Sequence, residues 1–253
     1  MRPRLTPAAA ASRTLTALLT LAVLAGGGPA RADAQYGRAA TTPARVTLGG
    51  GVFVAQPVGE FKDYVNNGFG GGGHLLLRVD PHGFLALRAD VGYLIYGHET
   101  KRVSIPNAGR VQLDVTTSNN ILTYSIGPQL MVQSGPVRPY VNAMAGGAYF
   151  FTESSIGDDD NTSAFASTRN FGDNVPSYGY GGGLFIPLAV RSAHVGIDIG
   201  ARFIRNGLTR YLREGGIQDD PDGGYTVFPI ESETSIVVYH IGVSAQLRGG
   251  PRR

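Results

Sequence analysis

The chain contains no cysteine and no tryptophan among its 253 residues. Without cysteine it forms no disulfides, so the stability of the fold has to come from other interactions. Beyond residue 34, no segment approaches the roughly 18 consecutive apolar residues that indicate a membrane-spanning helix. The sequence therefore excludes a helical membrane protein.

The start of the chain has the organisation of a secretory signal peptide. Two arginines open a basic region, residues 15–25 form a short apolar core, and residues 30–32 and 32–34 each offer a small-any-small cleavage site. We therefore predict a cleaved signal peptide over residues 1–34 and a single β domain over residues 35–253.

The formal net charge of +3 belongs to that N-terminal segment. Its four arginines and one aspartate account for all of it, so the remaining chain is close to neutral. The pI of 9.2 is thus mainly a property of the predicted leader. We expect no nucleic-acid partner.

Glycine is abundant, with 37 residues, and apolar residues recur at every second position over long stretches. In the last of these stretches, Val237 to Leu247, every odd-numbered residue is apolar and most residues between them are small or polar. A period of two predicts a β-strand with one apolar face. Seven further segments share the pattern: residues 46–54, 69–79, 85–96, 122–132, 140–151, 178–188 and 195–204.

The connections between these eight predicted strands alternate between short and long. Asp80–Gly83 and Ser134–Pro136 are tight turns by residue type, and a third short turn is predicted near residues 191–193. Polar segments near residues 56–67, 98–118, 153–176 and 206–233 are predicted to be the longer loops. Each strand has about 9–13 residues, the length that a tilted strand needs to cross a bilayer.

The end of the last strand carries a recognisable sequence motif. From His240 to Leu247 it reads polar, any, glycine, any, any, apolar, any, apolar. This resembles the C-terminal assembly signal of bacterial outer-membrane β-barrels, with His240, Gly242, Ala245 and Leu247 at the specified positions. Together with the strand pattern, residues 46–248 resemble a small eight-stranded outer-membrane barrel of the OmpA/OmpX type.

The resemblance implies a fold, a location and partners. The fold is an all-β, eight-stranded antiparallel up-and-down transmembrane barrel with short periplasmic turns and four long outer loops, whose last strand pairs with the first. The location is the cell outer membrane of a Gram-negative bacterium. The implied partners are outer-membrane lipids and lipopolysaccharide, and the barrel-assembly machinery, with the barrel itself a monomer.

Two groups of residues fit this setting. Basic residues in or beside the predicted loops could bridge lipid phosphates, although a solvated, mixed-charge surface explains them equally well: Lys101, Arg102, Arg110, Arg169, Arg205, Arg210 and Arg213. Aromatic residues near the strand ends predict an outer girdle and a thin inner one: Phe53, Phe69, Tyr93, Tyr96, Tyr149, Phe151, Tyr178 and Tyr180 outside, Phe84 and Tyr140 inside.

Polar residues on the face that would line the lumen are the candidate functional residues: His74, Arg78, Arg88, Asp90, Asn142, Asp198, Arg202 and His240. The lumen of an eight-stranded barrel is just wide enough to be filled by side chains. Charges there have to be paired, since an unpaired buried charge costs several kcal/mol. Counting back from the Asp80–Gly83 turn places His74 opposite Asp90. A structural network that fills the lumen is the favoured interpretation, and a narrow gated pore or proton path is the alternative.

Other motifs give weaker signals. The glycine run at residues 68–73 satisfies G-x-G-x-x-G but lies inside a strand, where a dinucleotide site would need a strand before it and a helix after it. Asp219–Gly224 fails the EF-hand pattern; with Asp158–Asp160 it could share divalent cations with lipopolysaccharide, although solvated loop tips are the simpler explanation. We expect no cofactor and no metal site.

The sequence thus favours a non-enzymatic integral outer-membrane barrel with a role in envelope integrity, surface contact or limited permeation. An outer-membrane lipid-modifying enzyme is one alternative, but His240 and Ser244 both belong to the lumen face and no catalytic residues emerge. A secreted, soluble lipocalin-like barrel is the other. The apolar face of such a barrel points inward. Here one face is continuously apolar and the other carries charged residues and glycines, so the apolar face is expected outside and the polar face inside.

Overall fold

The computed structural model describes residues 46–104, 112–157, 166–189, 194–220 and 224–247. The predicted signal peptide, Arg110 and Asp158–Asp160 lie outside these residues. The division into a leader and a barrel domain therefore stays a prediction. In the described part of the chain, no helix is long and apolar enough to cross a membrane.

Eight strands close into one antiparallel barrel. They are β1 (Val46–Val58), β2 (Gly68–Arg78), β3 (Leu85–Ser104), β4 (Gln112–Met131), β5 (Arg138–Gly157), β6 (Ala166–Ala189), β7 (His194–Tyr211) and β10 (Ile230–Leu247). Between the last two, β8 (Ile217–Asp219) and β9 (Tyr225–Val227) form a separate small hairpin. A 3-10 turn, Phe61–Asp63, follows β1. The predicted fold class is confirmed.

The closing contact joins the last strand to the first. β10 runs antiparallel to β1 from Val46 opposite Leu247 to Val58 opposite Ser235, without a register shift. On the other side of β1, β2 pairs with it and then with β3, where His74 lies opposite Asp90, as the count from the turn predicts. Every barrel strand therefore has two hydrogen-bonded neighbours, and the sheet has no free edge.

The two faces of the sheet differ as the period of two predicts. On β10, Tyr239, Ile241 and Val243 point outward and are about half exposed, whereas His240 and Ser244 point inward and are buried. The outward apolar side chains form a continuous band around the barrel, including Leu48, Val52, Phe69, Leu87, Val91, Leu122, Ile126, Val141, Tyr178, Leu184 and Ile199. Because the apolar face is the outer one, the lipocalin-like alternative is wrong.

Several strands are longer than predicted. β3, β4 and β5 have 20 residues each, and β6 has 24. The added length comes from segments that read as polar loops, such as Thr116–Ser118, which pairs with residues 153–155 of β5. A strand whose two faces both meet water has no apolar face to reveal it, although its backbone ladder continues unchanged.

Short turns close one end of the barrel, which we call the turn end; the opposite end is the loop end. At residues 79–84 the Asp80 carboxylate accepts hydrogen bonds from the backbone N–H of Leu85, at 2.8 Å, and of Phe84, at 3.1 Å. Slight desolvation acts to raise the pKa of Asp80, but these donors hold the pKa below its ordinary value. Gly83 completes the turn with φ of 76°, which favours glycine.

An aromatic cluster fills the interior near the loop end. The 3-10 turn folds into the barrel mouth and inserts Phe61, which is 1% exposed. Its ring centroid lies 5.9 Å from that of Tyr96, 6.1 Å from Phe150 and 5.1 Å from Tyr211. We call these four residues the aromatic plug. The connection that carries Phe61 reads as polar in the sequence, so its inward packing was not predicted.

The aromatic girdles need three corrections. Phe53, Tyr96 and Tyr140 occupy inward positions of their strands and do not belong to a girdle. Tyr96 is in the plug, where its hydroxyl donates to the backbone oxygen of Leu212 at 3.0 Å. The other outer-girdle residues point outward, and Tyr149 stacks on Phe151 with ring centroids 5.3 Å apart. Whether an aromatic side chain points inward or outward depends on its alternating position along the strand. Its nearness to the end of the strand does not decide this.

Replacing Phe61 with alanine removes the central ring of the plug. Because this side chain is buried and the barrel wall cannot collapse onto the cavity, we expect the free energy of unfolding to fall by about 3–5 kcal/mol. Reversible urea unfolding of the refolded barrel, followed by circular dichroism, measures the change. Tyr64→Ala is the matched control, since Tyr64 lies in the same connection but is 39% exposed. Equal losses for the two variants would contradict a packed plug.

Candidate functional site

A cluster of hydrogen-bonded polar side chains occupies the turn-end half of the interior. We call it the lumen network, and its members come from six of the barrel strands: His74, Arg88, Asp90, Gln129, Tyr140, Asp198, Arg202, His240 and Ser244. Inward positions of neighbouring strands lie side by side at the same height, so residues far apart in sequence meet here.

Asp90 is held by two arginines. The Nε atom of Arg88 donates to both oxygens of the carboxylate, at 2.9 and 3.0 Å, and Nη1 of Arg202 lies 2.8 Å from Oδ1. Nη1 of Arg88 also donates to Oε1 of Gln129 at 2.9 Å. The Arg88 side chain is only 2% exposed, so its charge depends on these partners.

Asp198 is the second acceptor of the network. The Tyr140 hydroxyl donates to its Oδ1 atom at 2.6 Å, and Nε2 of His240 lies 3.5 Å from the same oxygen. On the other oxygen, Nε2 of His74 lies at 3.8 Å and Nη1 of Arg88 at 3.9 Å. Asp198 thus links the two histidines to the Arg88–Asp90 pair.

The network balances its formal charges. Two guanidinium groups face two carboxylates, and the side chains of all four residues are 12% exposed or less. In a site of low dielectric, each ion lacks water and needs an opposite charge and hydrogen bonds to be stable. What this arrangement can do chemically is hold the strands together across the lumen.

Glycines make room for the largest members of the network. A Cβ atom on Gly200 would lie 2.7 Å from Cε1 of His240 and 2.9 Å from the Tyr140 hydroxyl, and one on Gly183 would lie 2.6 Å from that hydroxyl. None of these three distances is found for real Cβ atoms. Inward glycines on β6 and β7 are therefore part of the site.

Six of the eight predicted lumen residues come together in the network, and two do not. Arg78 lies at the turn end, close to Gly83. Asn142 points inward and is buried, but its amide makes no hydrogen bond within the described part of the chain. Gln129, Tyr140 and Ser244 were not predicted as partners. Tyr140 shares strand parity with Asn142 on β5 and Ser244 with His240 on β10, whereas β4, which carries Gln129, has no predicted lumen residue. The functional role of the set stays a prediction.

The predicted assembly signal lies on the closing strand. His240 and Gly242 point inward and Ala245 and Leu247 outward, and the whole run pairs with β1. Its recognition by an assembly machinery stays a prediction.

The other candidate chemistry finds little support in the described residues. His240 and Ser244 are both buried in the lumen, out of reach of lipid. Among the residues that the structure describes, no three His, Asp or Glu side chains are grouped closely enough to hold a metal ion. In the calcium-like segment, Asp220 accepts a hydrogen bond from the Thr226 hydroxyl at 3.1 Å and belongs to the small hairpin; residues 221–223 lie outside the described part.

The fold resembles several solved structures. Neisserial surface protein A (NspA) has 14% identity and a TM-score of 0.44, and the match covers 82% of this chain and 100% of that chain. Ail, the attachment invasion locus protein of Yersinia pestis, has 10% identity and a TM-score of 0.42, with coverages of 80% and 98%. A major outer membrane protein from Thermus thermophilus has 15% identity and a TM-score of 0.44, with coverages of 79% and 98%. No protein-family model and no curated protein sequence matches the chain. These likenesses concern the fold alone.

The Asp198→Asn substitution tests the charge balance of the network. It keeps the shape of the side chain but leaves two buried guanidinium groups with one carboxylate, so we expect the free energy of unfolding to fall by about 3–5 kcal/mol. Urea unfolding measures it. Glu233→Gln is the control, because Glu233 pairs with Arg205 at 2.9 Å on the exposed surface, and this variant should unfold at the wild-type urea concentration. An Asp198→Asn barrel as stable as the wild type would refute the balance.

Proposed function

We propose that this protein is an integral β-barrel of the bacterial outer membrane, with a filled lumen and a structural or surface-contact role. The observation that carries the proposal is the continuous outward band of apolar side chains around a closed sheet. A soluble protein rarely exposes an apolar patch of more than a few hundred Å². In a bilayer the same band faces lipid, and closure leaves no strand edge with a row of unpaired backbone groups.

The ends of the band support a membrane boundary. Phe69, Tyr93 and Tyr178 lie at its loop-end border and are exposed, as interfacial aromatic residues are. Directly beyond it, the guanidinium group of Arg169 lies 5.5 Å from the ring centroid of Tyr149 and 5.1 Å from that of Phe151. A cation above an aromatic border is well placed to bind the phosphates of lipid headgroups. On this proposal the immediate partners are outer-membrane lipids and lipopolysaccharide, and the barrel is a monomer inserted by the assembly machinery.

The contents of the lumen favour a structural role over permeation. The lumen network closes the turn-end half, and the aromatic plug closes the loop-end half. The same contents disfavour an enzyme acting on membrane lipids, because the polar groups of the network face the interior. The loop end is available for surface contact, because its long strands carry polar residues beyond the apolar band.

Gel mobility and fractionation test the location. We expect the protein in the outer-membrane fraction, and we expect unboiled and boiled samples to migrate differently in detergent gels. A closed barrel resists detergent unfolding until it is heated, because all of its strands are paired on both sides. A protein found in the periplasm or the medium, with one mobility before and after boiling, would refute the membrane proposal.

Electrical recording tests the filled lumen. Reconstituted in a planar bilayer, the protein should show no stepwise conductance, because side chains occupy the interior at two levels. An open-lumen porin inserted under the same conditions is the positive control. Regular conductance steps from the folded, heat-shifting barrel would restore the limited-permeation alternative.

A further inference from the structure

A cavity of about 280 Å³ lies at the loop end, above the aromatic plug. Its wall is formed by inward-facing residues of β3 to β6, among them Thr117, Ser154 and Thr168, and by the segment Arg213–Ile217, which crosses the barrel mouth. Thr168 and Tyr225 line the cavity and are exposed, so it can be reached from solution. The volume is close to the lower limit of small-molecule sites, about 300 Å³.

The crossing segment is fixed to β3 by several hydrogen bonds. The backbone N–H of Gly215 donates to Glu99 at 2.9 Å, the backbone N–H of His98 donates to Glu214 at 3.1 Å, and the Lys101 ammonium donates to the backbone oxygen of Ile217 at 3.4 Å. The cavity is therefore preformed, and the segment that covers it is fixed in place.

A row of neutral polar groups crosses the wall. The hydroxyls of Thr117 and Ser154 are 2.9 Å apart, and the Asn170 amide nitrogen donates to the Ser154 hydroxyl at 2.6 Å. The amide oxygen of Asn170 is buried, yet it has no hydrogen-bond partner among the described residues. A buried acceptor of this kind calls for a donor from elsewhere.

Asn170 owes its direction to a β-bulge. Phe171 pairs with Thr152 and Arg169 with Glu153, so that Asn170 is the extra residue between them on β6. Bulges re-aim side chains and recur next to binding sites. Here the bulge turns the Asn170 amide toward the cavity. In a regular strand this amide would point in a different direction.

The charges around the cavity cancel. Two anions, Glu99 and Glu214, accompany two cations, Lys101 and Arg213, and Lys101 lies 3.4 Å from Glu99. An anionic ligand would require an excess of cations, and a bound divalent cation would require grouped carboxylates. The apolar part of the lining consists of Val115, Ile156, Ile217 and Tyr225, and the remaining lining residues are neutral polar residues or glycines. The polar row interrupts this apolar part, so the cavity does not suit a fatty acyl chain.

We propose that this cavity binds one or two terminal sugar rings of a neutral glycan. A sugar ring presents hydroxyl groups at its rim and a weakly apolar C–H face. The hydroxyls match the donors and acceptors of Thr117, Ser154 and Asn170, and the C–H face matches Tyr225 and the aliphatic lining. A donated sugar hydroxyl satisfies the Asn170 amide oxygen.

The first test uses the unmodified protein. The folded full barrel, refolded in an amine-oxide detergent that carries no sugar headgroup, is applied to a printed array of neutral, sialylated and sulfated glycans. We expect retention on a subset of neutral glycans that share a terminal sugar. Retention on none of the glycans, or only on the sialylated and sulfated ones, would overturn the proposal.

The second test measures occupancy at the site. The chain has no tryptophan, so Tyr225→Trp places a single tryptophan in the lining, whose emission is excited selectively over that of the tyrosines. Titration with a soluble oligosaccharide ending in the sugar that the array selects should give a saturable emission change. In this background Asn170→Ala should weaken binding roughly tenfold, as expected for one lost hydrogen bond. Asn174→Ala is the matched control, because Asn174 is an exposed asparagine on the same strand.

An equal effect of the two alanine variants would overturn the assignment of the site. Heat-dependent gel mobility of each variant shows that it is folded, so a binding failure is not confused with misfolding. Because the titration is done in detergent, its outcome is independent of the membrane location proposed above.

Discussion

Closure of the sheet through the β1–β10 pairing is the constraint on which the rest of the structure depends. It satisfies the backbone groups of both terminal strands and removes the edge that an open sheet would expose. It also fixes register around the whole ring, and a shift by one residue would exchange the inward and outward sets of side chains. The separation of Tyr239, outside, from His240, inside, is therefore a consequence of closure as much as of the local sequence.

Once eight strands are closed, their interior has to be filled. The two levels of this barrel solve the problem in different ways. In the turn-end half, pairs of opposite charge share hydrogen bonds, with Asp90 between Arg88 and Arg202. In the loop-end half, rings of Phe61 and its neighbours pack edge to face. The first solution requires balance of charge and the second requires fit of shape, so the two halves respond to different kinds of substitution.

Much of this architecture could be predicted from the sequence, because a sheet with one apolar and one polar face imposes a period of two. The strands in the apolar band, the pairing of His74 with Asp90, and the inward face of the lumen residues all follow from that period. Beyond the band the signal disappears, and the outer halves of β3 to β6 read as loops. The packing of Phe61 gives no sequence signal, because one aromatic residue in a polar connection has no period. Tyr140 has the residue type of a girdle, but its parity places it inside. The bulge at Asn170 depends on pairing between distant strands, which no local pattern records.

The strand extensions beyond the band have a thermodynamic consequence. In β3, β4 and β5, all 20 residues are in strand, so the described part of the loop end is a continuous hydrogen-bonded wall. A partner that binds flexible loops must order them first, and that loss of conformational entropy subtracts from the affinity. A wall that is ordered before the encounter avoids most of this cost. Differences in affinity at such a surface are then expressed mainly in how long the complex survives.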